Sequence, residues 1–107
     1  MGKFAVSTRS NGELQFNLVA DNGQVVLTSE GYSSKAACEN GIESVKKNAG
    51  DDAHYELNTA SNGKFYFNLK AGNGQVIGTS QMYASEESRA EGIASVKNVG
   101  PGASVEE

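Results

Sequence analysis

The chain states nearly the same sequence twice. Residues 4–49 align with 55–100 at a constant offset of 51 without a gap, and 21 of the 46 positions are identical. Asn11-Gly12 falls on Asn62-Gly63, Phe16-Asn17-Leu18 on Phe67-Asn68-Leu69, and Gly41-Ile42 on Gly92-Ile93. A repeat of this length is one supersecondary unit that cannot bury its apolar face alone. Two such units in 107 residues therefore predict one domain with a shared core, with copies over 3–53 and 54–106.

Each copy reads in the same order. Phe4, Val6 and Thr8 alternate with Ala5 and Ser7, and Leu14, Phe16 and Leu18 alternate with Gln15, Asn17 and Val19. Period-two patterning marks half-buried strands. Tyr55-Leu57-Thr59 and Phe65-Phe67-Leu69 repeat the pattern, and Val25–Thr28 and Val76–Thr79 supply a third strand to each copy. Four Asn-Gly pairs separate these runs and predict hairpins of the type I′ kind. The period then becomes helical. Ser34 and Ser85 stand at the N-cap positions, and Ala37, Cys38, Gly41, Ile42 and Val45 form a one-sided stripe. Glycine inside both helices predicts close approach to the sheet. Asp52–His54 and Ala103–Val105 follow the helices, and the second segment has the makings of a short closing strand with Ala103 and Val105 facing inward.

The run Gly72-Asn73-Gly74-Gln75-Val76-Ile77-Gly78-Thr79-Ser80, followed by Met82-Tyr83, resembles the YegP-like family of small bacterial proteins. So do Asn40-Gly41-Ile42-Glu43-Ser44-Val45-Lys46-Lys47-Asn48 and Gly92-Ile93-Ala94-Ser95-Val96-Lys97. The resemblance spans residues 2 to about 106; Glu30-Gly31-Tyr32, where a Met commonly precedes the Tyr, and Val99 depart from it. It implies an α+β protein in which two β-β-β-α-β repeats form a single antiparallel sheet. The helices would lie on one face, and the C-terminal strand of each repeat would be exchanged onto the other. It implies no catalytic or ligand residues.

Composition narrows the functional classes. One cysteine permits no internal disulfide. The apolar runs fall short of the ~18 residues that span a bilayer, and Met1-Gly2-Lys3-Phe4 leads straight into alternating sequence, so a cytoplasmic protein without membrane contact is expected. Residues 1–50 carry no net charge and residues 51–107 carry the whole −4, which disfavours nucleic acid; such binding would need Lys3, Arg9, Lys64 and Lys70 in one stripe. His54 and Cys38 have no counterparts in the other copy, where Val105 and Arg89 stand. Cys38 is therefore expected at the rim of the helix–sheet seam. The unpaired Cys38, His54 and Arg89 are the features that fit an enzyme, with a Cys38–His54 nucleophile pair as one arrangement. No cofactor or metal set is evident.

What recurs is polar surface. Gln15, Asn17, Tyr66, Asn68 and Lys70 should project from the sheet face without helices, and Tyr32 and Tyr83 precede the N-caps. The sequence thus points to a non-enzymatic binding or interaction module, taking a protein or a small polar ligand on the uncovered face. The alternatives are a small enzyme or accessory subunit using a cleft between the repeats, or a weak nucleic-acid binder. Internal pseudo-symmetry favours a monomer, with a dimer as the other possibility.

Overall fold

Alternation of large apolar and polar residues becomes strand in both copies, and the computed structural model describes residues 2–106. The first copy forms β1 (Lys3–Thr8), β2 (Leu14–Val19), β3 (Val25–Ser29) and helix α1 (Lys35–Asn48). The second forms β4 (Tyr55–Thr59), β5 (Phe65–Lys70), β6 (Val76–Thr79) and helix α2 (Glu86–Val99), and β7 (Ser104–Glu106) closes the chain. All seven strands belong to one sheet in the order β4-β5-β6-β3-β2-β1-β7. The halves meet at β3 and β6, where Thr28 pairs with Thr79. These two threonines are equivalent in the repeat, so a pseudo-two-fold axis passes between them.

The hairpin turns differ from the type I′ expectation. Glycine alone takes positive φ, at 84–89° in the first copy and 83–87° in the second, and no asparagine does. Gly12 N–H donates to the Arg9 carbonyl and Arg9 N–H to the Glu13 carbonyl. This is a type I turn closed by a glycine bulge. The asparagines serve through their side chains: Oδ1 of Asn11, Asn22, Asn62 and Asn73 accepts from the backbone N–H two residues on, at 3.0 Å each time.

The Ser34 hydroxyl accepts from Ala37 N–H and the Ser85 hydroxyl from Ser88 N–H, both at 3.1 Å, which starts the two helices as expected. Each helix crosses beyond its own copy. α1 packs on β2, β5 and β6, and α2 on β5 and β3. Phe4, Phe16, Leu18, Leu27, Phe67 and Leu69 turn to this covered face and are buried with Ile42, Val45 and Val96. Burying side chains of this size contributes about 1.5–3 kcal/mol each, and each helix supplies cover to strands of both copies. Two buried serines are satisfied on both sides: Ser29 Oγ accepts from Phe16 N–H and donates to the Glu30 carbonyl, and Ser80 repeats this with Phe67 and Gln81.

Two features of the expected sheet need correction. It is antiparallel except for β7, which runs parallel to β1 with Phe4 opposite Val105. The exchange is also one-sided. β7 crosses onto the first copy, whereas Asp52–His54 forms a 3-10 turn that runs into β4. The cause is geometric. The path that carries the chain from α1 into β4, repeated about the pseudo-axis, leads from α2 to the start of β1. That place is occupied by β1, so the last residues lie beside it and run in its direction. Ala103 is buried, but Val105 remains 43% exposed because it sits at the sheet edge.

Candidate functional site

On the face without helices, Gln15 and Asn17 stand on β2 and Tyr66, Asn68 and Lys70 on β5. β3 and β6 lie between these strands, so the two groups are about 14 Å apart at ordinary strand spacing. The structure gathers the second group around a residue the sequence reading missed. Glu56 accepts from Lys70 Nζ at 2.8 Å, Asn68 Nδ2 at 3.1 Å and Asn58 Nδ2 at 3.3 Å. The Lys70 ammonium first, then the two amides, hold its carboxyl down to about 2. Thr79 Oγ1 completes the set by donating to Asn68 Oδ1 at 2.7 Å. The signal was present in the repeat: Glu56, Asn58 and Lys70 replace Ala5, Ser7 and Val19 together.

The first copy has no such acid. Arg9 Nε donates to Gln15 Oε1, and Asn17 Oδ1 is buried without a hydrogen-bond partner among the described residues. The basic residues considered for nucleic acid are engaged by acids in three cases, Lys3 with Glu106, Arg9 with Glu13 and Lys70 with Glu56.

Tyr32 and Tyr83 lie on the other side of the sheet, beneath the helices, and each helps to build a groove. Tyr32 stacks on Phe16 with centroids 6.2 Å apart, and Tyr83 on Phe67 at 6.4 Å. Each phenol passes under a helix where a glycine leaves room, Tyr32 under Gly41 and Tyr83 under Gly92. The close approach foreseen for these glycines is thus to a tyrosine ring inserted between helix and sheet. Burial pushes both phenols up from their ordinary value, so they stay protonated at neutral pH.

One groove, of about 510 Å³, has Tyr32 and Gly41 in its lining, with Asn40 and Ser44 from α1 and Asn73 and Gln75 from the β5–β6 turn. The other, of about 350 Å³, has Tyr83 and Gly92 with Glu91 and Ser95 from α2 and Gln24 from the β2–β3 turn. They are related by the repeat. Each lies between the helix of one copy and a hairpin of the other, and neither lining contains Lys, Arg, His or Cys. Sequence reading named the tyrosines but not Gln24 and Gln75, because the pairing of helix with opposite hairpin is set by the crossing of the two copies.

The Cys38–His54 pair is not assembled. Cys38 is 1% exposed in the first turn of α1, in the core rather than at its rim. Its equivalent Arg89 is buried too, because its guanidinium donates to the Asn58 carbonyl at 3.0 Å and lies over the Phe65 ring. His54 stands beyond the opposite end of α1, its Nδ1 3.0 Å from the Lys70 carbonyl oxygen and its Nε2 3.5 Å from Asp51. About 15 Å of helix runs from Cys38 to Asn48, the last residue of α1, before the chain turns to His54. Among the described residues no three His, Cys, Asp or Glu converge as a metal site, and no helix is long and apolar enough to cross a membrane.

Fold and repeat together define a tandem-repeat α+β protein with one sheet and two helices on a single face. A family model described as a domain of unknown function, DUF1508, matches the chain twice, over residues 10–56 and 60–107. The chain belongs to this DUF1508 family. It is 58% identical over 106 residues to the UPF0339 protein in the ptx operon 5′ region of Stutzerimonas stutzeri, covering 99% of this chain and 96% of that one. It is 53% identical to the UPF0339 protein YegP of Escherichia coli K12 over the same shares of the two chains. The solution NMR structure of E. coli YegP superposes with a TM-score of 0.93, covering 98% of this chain and 90% of that one. That of the UPF0339 protein SO3888 of Shewanella oneidensis, 48% identical, superposes at 0.92 over 98% and 89%. These descriptions assign no catalytic activity.

Proposed function

We propose that this chain is a non-enzymatic binding module that takes a small, uncharged, hydrogen-bonding ligand in each of its two equivalent grooves. The observation that carries this reading is the duplication of the groove itself. Tyr32 and Tyr83, Gly41 and Gly92, Ser44 and Ser95, and Gln75 and Gln24 recur at matching places in two concave linings. The volumes fall in the range of small-molecule sites, about 300–1,000 Å³. Amides, hydroxyls and a neutral phenol supply donors and acceptors, and the absence of basic groups from both linings disfavours phosphates and other anions. Each lining has one carboxylate, Glu30 or Glu91, too few groups for paired acid–base chemistry.

A titration followed by amide NMR with neutral saccharides and small amides tests the reading. Shifts should appear together at Gly41, Asn40 and Gln75 and at Gly92, Glu91 and Gln24, and Gln75→Ala should silence the first set alone. A second reading keeps the uncovered face as the docking surface. It is favoured by the side-chain oxygen Oδ1 of Asn17, which has no hydrogen-bond partner among the described residues. Shifts confined to Asn17, Tyr66 and Asn68 would select it, and no shift at any of these residues would remove both.

A further inference from the structure

The one-sided exchange leaves the two ends of the sheet unequal. β1 is covered by β7, whereas β4, its equivalent in the second copy, is the last strand on its side. Backbone alternation shows which groups β4 presents outward. Phe65 and Tyr83 exchange both backbone hydrogen bonds, and Phe67 N–H goes to Ser80, so alternate residues Phe65, Phe67 and Leu69 bond toward β6. Tyr66 and Asn68 therefore bond toward β4, where Asn58 and Glu56 stand opposite them. Tyr55, Leu57 and Thr59 are left with backbone groups pointing away from the sheet. Of these, Tyr55 N–H is already held by the Asp52 carbonyl. The open edge thus offers Leu57 N–H and C=O, Thr59 N–H and Tyr55 C=O.

We propose that β4 is a self-association edge that pairs antiparallel with β4 of a second copy about a two-fold axis at Leu57. The hydrogen-bond inventory matches this register. Leu57 N–H and C=O would exchange with their own counterparts, and Thr59 N–H would donate to the partner strand's Tyr55 carbonyl. Four bonds form without calling on the occupied Tyr55 N–H. Side chains agree as well. Leu57, 56% exposed and the most exposed of the large apolar side chains among the described residues, meets its own copy on the axis. Glu56 faces Asn58, whose amide already donates to Glu56 within the chain, so no like charges oppose each other. The strand Tyr55-Glu56-Leu57-Asn58-Thr59 carries neither the Lys nor the Pro with which edges are commonly blunted.

The obvious rival fits less well. If a second copy's β7 lay on β4 as β7 lies on β1, Glu106 would stand beside Glu56, since Glu106 pairs with Ala5, the equivalent of Glu56. Lys3, which neutralises Glu106 at 3.1 Å on the first copy, is replaced there by His54. Two five-residue strands form a small contact, so the association is weak and concentration-dependent. This surface is remote from the ligand question and stands or falls independently of it.

Sedimentation velocity across a concentration series, combined with isotope-filtered NMR on a mixed labelled and unlabelled sample, tests the proposal. The full chain should shift toward dimer as concentration rises. Cross-strand Hα contacts should appear between Glu56 of one copy and Asn58 of the other, and exchange of the Leu57 and Thr59 amides should slow. Leu57→Lys should weaken association at least tenfold. Thr59→Pro, which removes one donor and adds no charge, should do the same with the far-ultraviolet spectrum unchanged. A chain that stays monomeric up to millimolar concentration would overturn the proposal. So would intermolecular contacts between β4 and residues 104–106, or a Leu57→Lys variant that associates as the parent does.

Discussion

A Cβ built on Gly78 would stand 2.9 Å from Cγ of Leu27. The two residues are equivalent in the repeat and sit on either side of the pseudo-two-fold axis, so a single leucine side chain fills space that symmetry would assign to two. Gly78→Ala should therefore cost about 1–3 kcal/mol through overpacking, and Leu27→Ala about 2–5 kcal/mol through the cavity it leaves. Urea unfolding of the double variant should give less than the sum, because the new methyl occupies part of the cavity.

Gly41 and Gly92 raise a similar test with opposing terms. Alanine gains about 1 kcal/mol of helix propensity over glycine, but its methyl would collide with the hydroxyl of Tyr32 or Tyr83. Overpacking dominates, and either Gly→Ala variant should unfold at lower urea concentration. Tyr32→Phe combined with Gly41→Ala should restore part of the loss. A Gly41→Ala variant more stable than the parent would show that the ring is free to move aside.

Glu56 supplies a pH signature. Its carboxyl is held at about 2, below the ordinary 4.5, by Lys70, Asn68 and Asn58. A depressed carboxylate contributes stability that is complete above its unfolded value and is lost as pH falls through the folded one. The difference in urea midpoint between the parent and Glu56→Gln should thus be constant near neutrality and shrink between pH 4.5 and about 2.

Arg89 is a buried cation whose partner is a backbone carbonyl. Arg89→Ala removes the charge-assisted bond to Asn58 and the cover over Phe65, and should cost roughly 2–3 kcal/mol. Arg89→Lys should recover little of it, because an ammonium does not reproduce a flat guanidinium lying on the ring.

The turns separate two roles that sequence alone merges. Asn62→Ala loses only the side-chain bond to Lys64 N–H and should cost about 0.5–1.5 kcal/mol. Gly63→Ala forces an alanine to φ near 83° and should cost about 1–2 kcal/mol. Thermal denaturation of the two variants would rank them, and a costlier asparagine change would restore the type I′ description.

The repeat made most of the fold legible. Period-two runs, Asn-Gly pairs and Ser34 and Ser85 mark elements whose causes are local. What escaped was decided by the encounter of the copies. The parallel course of β7 follows from β1 already holding the symmetric place, which no pattern in Ser104–Glu106 announces. Cys38 and Arg89 were set at the rim because one of them is charged, whereas a carbonyl and an aromatic ring allow the cation to be buried. The candidate site divided for the same reason. Side-chain alternation put Gln15, Asn17, Tyr66, Asn68 and Lys70 on one face correctly, but only the fold shows that Tyr32 and Tyr83 line grooves on the other.

The seam between β3 and β6 also bears on how the chain is made. Its two paired positions, Thr28 with Thr79 and Ser29 with Gly78, join halves whose other strand pairs are mostly between neighbours in sequence, and locally paired strands form early. During synthesis the first meander emerges complete while β6 and α2 have yet to be translated. At about 5–20 residues per second, the 51 residues that separate Thr28 from Thr79 take roughly 3–10 seconds to follow. For that interval the nascent chain carries an unpaired β3 edge, and a helix α1 whose landing surface on β5 and β6 does not yet exist.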